Sequence, residues 1–180
     1  MNMGMTKWVC AGGLALVLAA CGGGDGEEQE TAVAEAAPTT LAAGFYELTS
    51  EVTALASTDN TTPATPLKVG DKQTIKACVT AEGKPRPELL AEHGQSPDKC
   101  EIKSSYIRNG RMSAEMSCSR DGKSGSVMPA MNGSFSKDGF EGEITTLTYF
   151  VDDGDYRLTR KVSAKRVGDC PAGGAAEKAS

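Results

Sequence analysis

The chain has 180 residues and a net charge of −5, from 24 acidic and 19 basic side chains. This length suits one ordinary domain with short flanking segments, and the acidic balance gives no indication of nucleic-acid binding. Aromatic side chains make up only 5% of the sequence. Because such a chain can build only a small core, we expect the domain to need covalent support.

The N-terminal residues have the pattern of a bacterial lipoprotein signal. Lys7 supplies a positive charge, and residues 8–20 form an apolar run that is too short to cross a bilayer, which takes about 20 residues. Leu18-Ala19-Ala20-Cys21 resembles the lipobox, the motif that signal peptidase II cleaves before a cysteine. We predict that residues 1–20 are a signal peptide and that Cys21 carries diacylglycerol and an acyl chain such as palmitate. The alternative is an ordinary cleaved signal followed by an unmodified cysteine.

The residues after the lipobox indicate where the protein is anchored and how the domain is linked to its anchor. A lipoprotein with this signal would lie in the periplasm. Glycine at position 22, where aspartate would retain a lipoprotein at the inner membrane of enteric bacteria, predicts anchoring to the outer membrane. Residues 21–43 are rich in glycine, alanine and acids and contain no base. A coil of this length spans roughly 25 Å, so we interpret this segment as the lipidated cysteine followed by a flexible acidic tether.

Residues 44–171 are predicted to form one all-β domain. Apolar and polar residues alternate with a period of two, which is typical of half-buried strands, and one short helical turn is expected over residues 87–93. Short turns between strands predict an antiparallel meander that forms a strongly curved sheet or a small barrel, followed by a disordered tail over residues 172–180. Pro129 and Gly133 suggest that their strand is bent or lies at an edge. The predicted strands cover residues 44–56, 72–80, 100–108, 111–119, 127–136, 140–151 and 156–166.

Four cysteines remain in the domain: Cys78, Cys100, Cys118 and Cys170. An even number in an oxidising compartment predicts two disulfides. The spacing lacks the close Cys-x-x-Cys pairs of structural zinc sites. Two pairings are open from the sequence: Cys100–Cys118 with Cys78–Cys170, which we favour, and Cys78–Cys100 with Cys118–Cys170.

The favoured pairing depends on the register of the hairpin formed by residues 100–108 and 111–119. A three-residue loop over residues 108–110, ending in a left-handed Gly110, would pair Tyr106 with Met112 and set Cys100 opposite Cys118. A two-residue turn would mix the apolar and polar faces, so we predict the three-residue loop. Cross-strand neighbours in a non-hydrogen-bonded pair are close enough for a disulfide.

Several short motifs of the domain resemble a known family. They are Gly44-Phe45-Tyr46-Glu47, Cys78 after a strand, Asp98-Lys99-Cys100 before the hairpin, Asn109-Gly110 at its tip, Cys118, and Arg166-Val167-Gly168-Asp169-Cys170. Together they resemble a bacterial family of small secreted or lipid-anchored domains known as domain of unknown function 3617, from about Gly44 to Cys170. The resemblance implies a disulfide-stapled β domain and no particular activity. The family often has tryptophan at the position of Phe45 or Tyr46.

The sequence contains no convincing catalytic set. His93 is the only histidine, and we interpret it as a solvated side chain on a surface turn. All four domain cysteines are assigned to disulfides, so none is expected to act as a nucleophile. We therefore predict neither enzymatic activity nor a cofactor. Acids paired in strands and turns are expected to be solvated, with a weak calcium site as the alternative; they are Glu141, Glu143, Asp152, Asp153 and Asp155.

The methionines of the domain are confined to two neighbouring segments. Thioethers are soft ligands that suit Cu(I), so a metal site is one interpretation. We favour the other, in which methionine fills an irregular β core. The residues are Met112, Met116, Met128 and Met131.

Basic residues alternate along the last long strand. Arg157, Lys161 and Lys165 would form a stripe on its outer face that could contact an acidic partner or a lipid headgroup. A plain solvated face is the simpler interpretation.

These features predict a non-enzymatic binding or interaction module of the cell envelope. Its contacts would be the membrane, through the lipid anchor, and an envelope protein or small ligand, through the concave face of the sheet or the basic stripe. One alternative is a carrier of a small apolar ligand or Cu(I), which an apolar cavity of several hundred cubic ångströms would favour. Another is a hydrolase, which titratable groups converging in a cleft would favour.

Overall fold

The computed structural model describes residues 39–79, 81, 83, 86–92, 99–171 and 177–178. The predicted signal peptide, Cys21, most of the predicted tether and His93 lie outside the described residues. Within these ranges, no helix is both long enough and apolar enough to cross a bilayer. The elements in chain order are β1 Gly44–Ser57, β2 Lys72–Val79, α1 Pro87–Leu90, β3 Cys100–Arg108, β4 Arg111–Arg120, β5 Lys123–Ser136, β6 Gly139–Phe150, β7 Tyr156–Gly168 and β8 Glu177–Lys178.

The strands form one antiparallel sheet in the order β3-β4-β5-β6-β7-β1-β2-β8. β3 to β7 are the predicted meander, whereas the β1–β2 hairpin joins the sheet on the far side of β7. The first and last long strands are therefore neighbours over their whole length. The sheet is curled but open, so of the two predicted forms the curved sheet is confirmed. Two residues of the predicted tail form β8, which pairs with Ile75 and Lys76 of β2.

β5 differs from the expectation of an edge strand. It begins at Lys123 and lies inside the sheet, between β4 and β6. Pro129 pairs with Thr146 of β6, while the pairs with β4 stop at Ala130 and resume at Val127. A proline has no N–H to donate, so the strand accommodates it by interrupting the β4 ladder locally.

One face of the sheet, the inner face, carries the core. Alternate residues along the strands are buried, as the period of two requires, and Tyr46, Leu48 and Ile144 are at most 1% exposed. α1 contacts both β2 and β3, and its side chains Leu89 and Leu90 are part of the core. Because β2 and β3 lie near opposite ends of the sheet, α1 covers the opening between the two ends of the curled sheet.

Two disulfides cross-link the domain, and their pairing is the one favoured from the sequence. Cys78–Cys170 joins the end of β2 to the residues after β7, across β1, with 5.7 Å between the Cα atoms. Cys100–Cys118 joins directly opposite residues of β3 and β4, whose Cα atoms are 4.1 Å apart. That separation is close to the about 4.5 Å of a non-hydrogen-bonded antiparallel pair.

The β3–β4 hairpin has a two-residue turn, so the prediction of a three-residue loop is wrong. Asn109 and Gly110 both have positive φ, 53° and 71°, as a type I′ turn requires. Tyr106 lies opposite Ser113 and is 54% exposed. Next to the turn, the strands therefore pair in the register of a two-residue turn, which the sequence had not favoured.

A bulge farther along the hairpin restores the register of the cysteines. Lys103 is an extra residue on β3, between Ile102, which pairs with Met116, and Ser104, which pairs with Glu115. A bulge of this kind shifts the register by one residue and changes which face the following residues occupy. Cys100 therefore lies opposite Cys118 for a reason that differs from the predicted one.

Asp59 ties the loop after β1 to the β6–β7 turn. Its Oδ2 accepts the backbone N–H groups of Gly154 and Asp155, each over 2.8 Å, and its Oδ1 accepts the N–H of Thr61 over 2.9 Å. These hydrogen bonds, that of Thr61 most of all, hold the pKa of the Asp59 carboxyl well below its usual range. Gly154 has a φ of +116°, and a Cβ there would lie 2.7 Å from the Cβ of Ala64, so the turn requires glycine.

Candidate functional site

A buried polar cluster lies where α1 meets the inner face of the sheet. Its centre is Glu92 two residues after α1, Arg120 at the end of β4 and Tyr156 at the start of β7. Glu92 Oε1 accepts hydrogen bonds from Arg120 Nη2, the Tyr156 hydroxyl and the Thr65 hydroxyl, each over 2.9 Å. Arg120 Nη2 also donates to the Tyr156 oxygen over 2.7 Å, and its Nη1 donates to the Ala64 carbonyl over 2.5 Å. The cluster thereby joins α1, the loop before β2 and two strands.

The cluster is shielded from solvent. The side chain of Glu92 is 0% exposed and that of Arg120 is 15% exposed. The Arg120 guanidinium also lies over the rings of Tyr156 and Phe150, 5.6 and 5.8 Å from their centroids. Burial, and then the negative charge of Glu92, raise the pKa of the Tyr156 hydroxyl far above its ordinary value. Tyr156 therefore stays protonated and can donate its hydrogen to Glu92 at physiological pH.

Arg160 is a second cationic residue of the inner face. It lies on β7 between Leu158 and Val162 and is only 2% exposed. Its Nη2 and Nη1 donate to the carbonyls of Leu90 and Ala91, over 2.7 and 3.1 Å. Burial lowers the pKa of the guanidinium, but an arginine remains protonated all the same. Arg160 thus holds the end of α1, whose last carbonyls have no partner within the helix, against the sheet.

Among the described residues, three buried polar side-chain atoms lack a hydrogen-bond partner. These atoms are Arg160 Nε, Thr146 Oγ1 and Glu88 Oε2. Thr146 is 0% exposed and lies on β6 two residues from Ile144, which is directly opposite Arg160, so Thr146 and Arg160 are diagonal neighbours on the inner face. Buried polar groups are normally paired. The two atoms on the sheet therefore mark a position where a bound group could make hydrogen bonds.

The arrangement suits holding and binding better than catalysis. A nucleophile or general base must reach a substrate, whereas the Glu92 side chain is fully buried and already accepts bonds from three residues. The protonated Tyr156 hydroxyl is engaged in the same bonds. Arg160 Nε and Thr146 Oγ1 remain able to donate to an acceptor.

The structure places the four methionines on different faces of the sheet. Met112, Met116 and Met131 are on the inner face, at most 2% exposed, and belong to the core. Met128 is 44% exposed and pairs with Leu147 on the outer face. The four thioethers therefore do not converge on one metal site.

The basic stripe is interleaved with acids. Arg157, Lys161 and Lys165 are all exposed on β7, as expected. The residues opposite the two lysines on neighbouring strands are glutamates: Glu51 and Glu143 for Lys161, and Glu47 for Lys165. Opposite charges on neighbouring strands attract one another. The outer face of β7 is thus a surface of alternating charge, which does not favour an acidic partner there.

The paired acids lie at the β6–β7 turn and on the outer face of β6. Asp155 accepts the backbone N–H of Phe150 over 2.8 Å, and Asp152 and Asp153 are exposed at the same turn. In the part of the chain that the structure describes, no group of three or more histidine, cysteine, aspartate or glutamate side chains could hold a metal ion. Glu141 and Glu143 are exposed on the outer face of β6.

The polar cluster was not predicted from the sequence. Arg160 carried a signal, because it occupies an inward position between Leu158 and Val162 in the alternating pattern of β7. No sequence signal pointed to Glu92 or Arg120. Glu92 follows a single helical turn, and Arg120 ends a strand 28 residues further along the chain. Only the packing of α1 on the sheet brings them together.

Together the fold and the cluster define an open, disulfide-stapled antiparallel sheet with a short helix at the opening between its two ends. The chain belongs to the family described as Protein of unknown function (DUF3617), whose family model matches residues 41–170. This match confirms the family resemblance that the sequence motifs suggested. The matched region begins at Leu41, which is buried in the core, and ends at the disulfide-bonded Cys170. No curated protein and no solved structure matches the chain significantly.

Proposed function

We propose that this protein is a lipid-anchored, non-enzymatic binding module of the bacterial envelope, held at the outer membrane by Cys21 and facing the periplasm. One observation carries this proposal: two disulfides, Cys78–Cys170 and Cys100–Cys118, lie in the domain that follows the lipobox. Disulfides form and persist in oxidising compartments such as the periplasm. The lipobox gives a route to that compartment and an anchor within it.

Binding is proposed over catalysis because of the state of the buried titratable groups. Glu92, Arg120 and Tyr156 are hydrogen-bonded to one another, and a group that is both buried and fully engaged is poorly placed to exchange a proton with a substrate. The hydrolase alternative would need a cleft in which such groups face solvent.

A carrier of a small apolar ligand is the form of binding that the inner face supports best. The face is lined by apolar side chains, and Arg160 Nε and Thr146 Oγ1 are buried on it without a partner. The Cu(I) form has less support, because Met128 faces away from Met112, Met116 and Met131.

The test is mass spectrometry of the full-length chain, expressed in a bacterium and recovered from membranes without reductant. We expect a mature N-terminal peptide that begins at an acylated Cys21, and disulfide-linked peptides that join Cys78 to Cys170 and Cys100 to Cys118. The matched control is Cys21→Ser, which should lose the acyl groups. An unmodified Cys21, or four free thiols in the domain, would overturn the proposed location.

A further inference from the structure

We propose that the inner face of the sheet is a binding site for a long-chain carboxylate, that α1 plugs this site in the free protein, and that Arg160 Nε and Thr146 Oγ1 bind the carboxylate group. The inference rests on the proposed binding function and names its ligand class and site. Four features of the described residues carry it: the lining of the inner face, the attachment of α1, the unpartnered donors and the balance of buried charge.

The lining suits an acyl chain. The core on the inner face is built from side chains of β1, β2, β4, β5, β6 and β7. Three of its members are Met112, Met116 and Met131, whose unbranched thioether side chains adapt to the shape of an apolar partner. In this structure Leu89 and Leu90 of α1 pack against this lining and fill the place that an acyl chain would take.

α1 is attached in a way that permits its displacement. It is a single helical turn of four residues, and its contacts are with β2 and β3 at the opening of the sheet. Its end is held by the bonds from Arg160 to the carbonyls of Leu90 and Ala91, whereas Glu92, two residues after the helix ends, is held separately in the polar cluster. None of the backbone pairs that build the sheet runs through α1. The four residues of the helix can therefore leave the opening while Glu92, the seven long strands and both disulfides stay in place.

Two donors on the inner face are available to a carboxylate. Arg160 Nε and Thr146 Oγ1 are 2% and 0% exposed as residues, lack a partner and are diagonal neighbours on the inner face. A carboxylate has two oxygens that each accept hydrogen bonds, and bonds from a guanidinium to a carboxylate are among the strongest in proteins. Glu88 Oε2, the third unpartnered atom, lies on α1 and would move away with the helix.

Among the described residues, one buried cation has no acid of its own once Glu88 has moved away with α1. The remaining buried charges are those of Glu92, Arg120 and Arg160, one negative and two positive, and Glu92 is bonded to Arg120. The groups that act on the Arg160 charge are Glu92 and Tyr156, and Tyr156 is uncharged. A buried charge is costly until it is paired, so a ligand with one negative charge complements this site and a cationic ligand does not.

The experiment uses methionines as reporters on the two faces of the sheet. The disulfide-intact protein is labelled with 13C at the methionine methyl groups and titrated, below micelle-forming concentrations, with laurate and with dodecyltrimethylammonium, which has a chain of the same length and a cationic head. We expect laurate to shift the signals of the inner methionines saturably at one ligand per chain, while the signal of Met128 on the outer face stays in place. Dodecyltrimethylammonium should bind at least tenfold more weakly, since it meets the cation of Arg160.

A pair of threonine variants tests the headgroup. Thr146→Val removes a hydroxyl that has no partner in the free protein, so the fold should be retained, and a lost hydrogen bond to a charged group should weaken laurate binding by about tenfold or more. Thr145→Val, the neighbour on the outer face, should bind laurate as the wild type does.

Three results would overturn the proposal. They are no saturable laurate binding, shifts that include Met128 as strongly as the inner methionines, and equal binding of the cationic detergent or of the Thr146→Val variant. Each of these leaves the lipidation and disulfide measurements on Cys21 and the domain cysteines untouched, so the failure of this site and the failure of the envelope location are distinguishable.

Discussion

Glu92 carries a charge in a position without solvent contact, and three donors make this possible. The Arg120 guanidinium and the hydroxyls of Tyr156 and Thr65 all donate to its carboxylate. Removing an ion from water costs several kcal/mol, which close pairing and hydrogen bonds must offset. Because the donors come from a loop and two strands, Glu92 ties the chain that follows α1 to these three elements.

Replacing Arg120 should therefore destabilise the domain strongly. Arg120→Met leaves Glu92 buried without its cation, and we expect a loss of about 3–5 kcal/mol in the free energy of unfolding, measured by urea denaturation with the disulfides intact. The double variant Arg120→Met/Glu92→Met should recover much of this loss, since no unpaired charge remains.

An exposed pair provides the control for this measurement. Glu51 and Lys72 form an ion pair over 3.3 Å, with side chains 49% and 74% exposed, and exposed pairs contribute about 1 kcal/mol at most. Glu51→Gln should thus change stability little. A loss for Arg120→Met no larger than that for Glu51→Gln would contradict the role assigned to the cluster.

Asp59 should make stability depend on acid pH. Its native pKa is depressed by hydrogen bonds, with the N–H of Thr61 contributing most. The native state thus keeps the carboxylate ionised where the unfolded chain, with a pKa of 3.8, is already protonated. The stabilisation from Asp59 is therefore present above this pH and is lost as the pH falls through the lower native pKa.

We expect Asp59→Asn to be less stable than the wild type near neutral pH, because an amide is a weaker acceptor than a carboxylate. The difference in melting temperature between the two proteins should shrink as the pH falls below about 4. Thermal melts of both proteins, from neutral pH downwards, measure it. A difference that stays constant over this range would rule out the assigned hydrogen bonds.

At the scale of elements, the β3–β4 hairpin reconciles a tight turn with a cross-strand disulfide. The turn at Asn109-Gly110 fixes one register, the disulfide between Cys100 and Cys118 requires another, and the two differ by one residue. Lys103 takes up this difference as a bulge. The inward positions of β3 therefore change parity at Lys103, which explains why Tyr106 is exposed.

Two single-residue deletions test the bulge. Deleting Lys103 should give a regular ladder in which Cys100 still lies opposite Cys118, so the disulfide should form. Deleting Ser117 of β4 instead moves Cys118 opposite Glu101 and turns it to the other face, so the disulfide should be lost. Peptide mapping without reductant distinguishes the two, and loss of the disulfide in the Lys103 deletion would show that the bulge is misassigned.

α1 illustrates how an element can depend entirely on its surroundings. A helix of four residues is not stable alone, and no side chain caps its N-terminal end at Arg86. Arg160 supplies donors at its C-terminal end, and Leu89 and Leu90 supply its apolar contacts. This dependence on tertiary contacts is also what allows the helix to act as a displaceable plug.

At the scale of the whole molecule, the two ends of the family region meet. Arg166 Nε donates to the carbonyl of Ala43 over 3.0 Å, and its Nη2 bonds to Asp169. A Cβ at Gly44, which has a φ of +152°, would lie 2.7 Å from the carbonyl oxygen of Gly168. The opening and closing motifs that carry the family resemblance thus form one structural contact between β1 and the end of β7.

The two disulfides should stabilise the domain unequally. Cys78–Cys170 closes a sequence separation of 92 residues and Cys100–Cys118 one of 18. From loop-closure entropy in the unfolded chain we expect losses of about 4.5 and about 3 kcal/mol when each pair is replaced by serine. Urea denaturation of Cys78→Ser/Cys170→Ser and of Cys100→Ser/Cys118→Ser measures this order. The reverse order, or no loss in either variant, would show that the core does not depend on these staples as argued.

The alternation of apolar and polar residues predicted most of the fold. Each of the seven long strands was predicted within a few residues, because burial of one sheet face imposes a period of two that is visible in the sequence. Of the edge and bent strands that Pro129 suggested for β5, the edge strand is wrong, since a proline can also sit inside a sheet where one ladder is interrupted. Lys103 could not be anticipated, because a bulge at an exposed position leaves no mark in composition.

The sequence by itself determined the all-β class, the number and order of the long strands, the four cysteines that form disulfides and the family to which the chain belongs. These depend on local alternation, turn residues and motifs, all of which are properties of neighbouring positions. The tertiary structure alone decided the register of the β3–β4 hairpin, the joining of β1 to β7 and the convergence of Glu92, Arg120, Tyr156 and Arg160. These depend on contacts between residues far apart in the chain, and the energy of a buried charge is fixed only by the groups that folding brings around it.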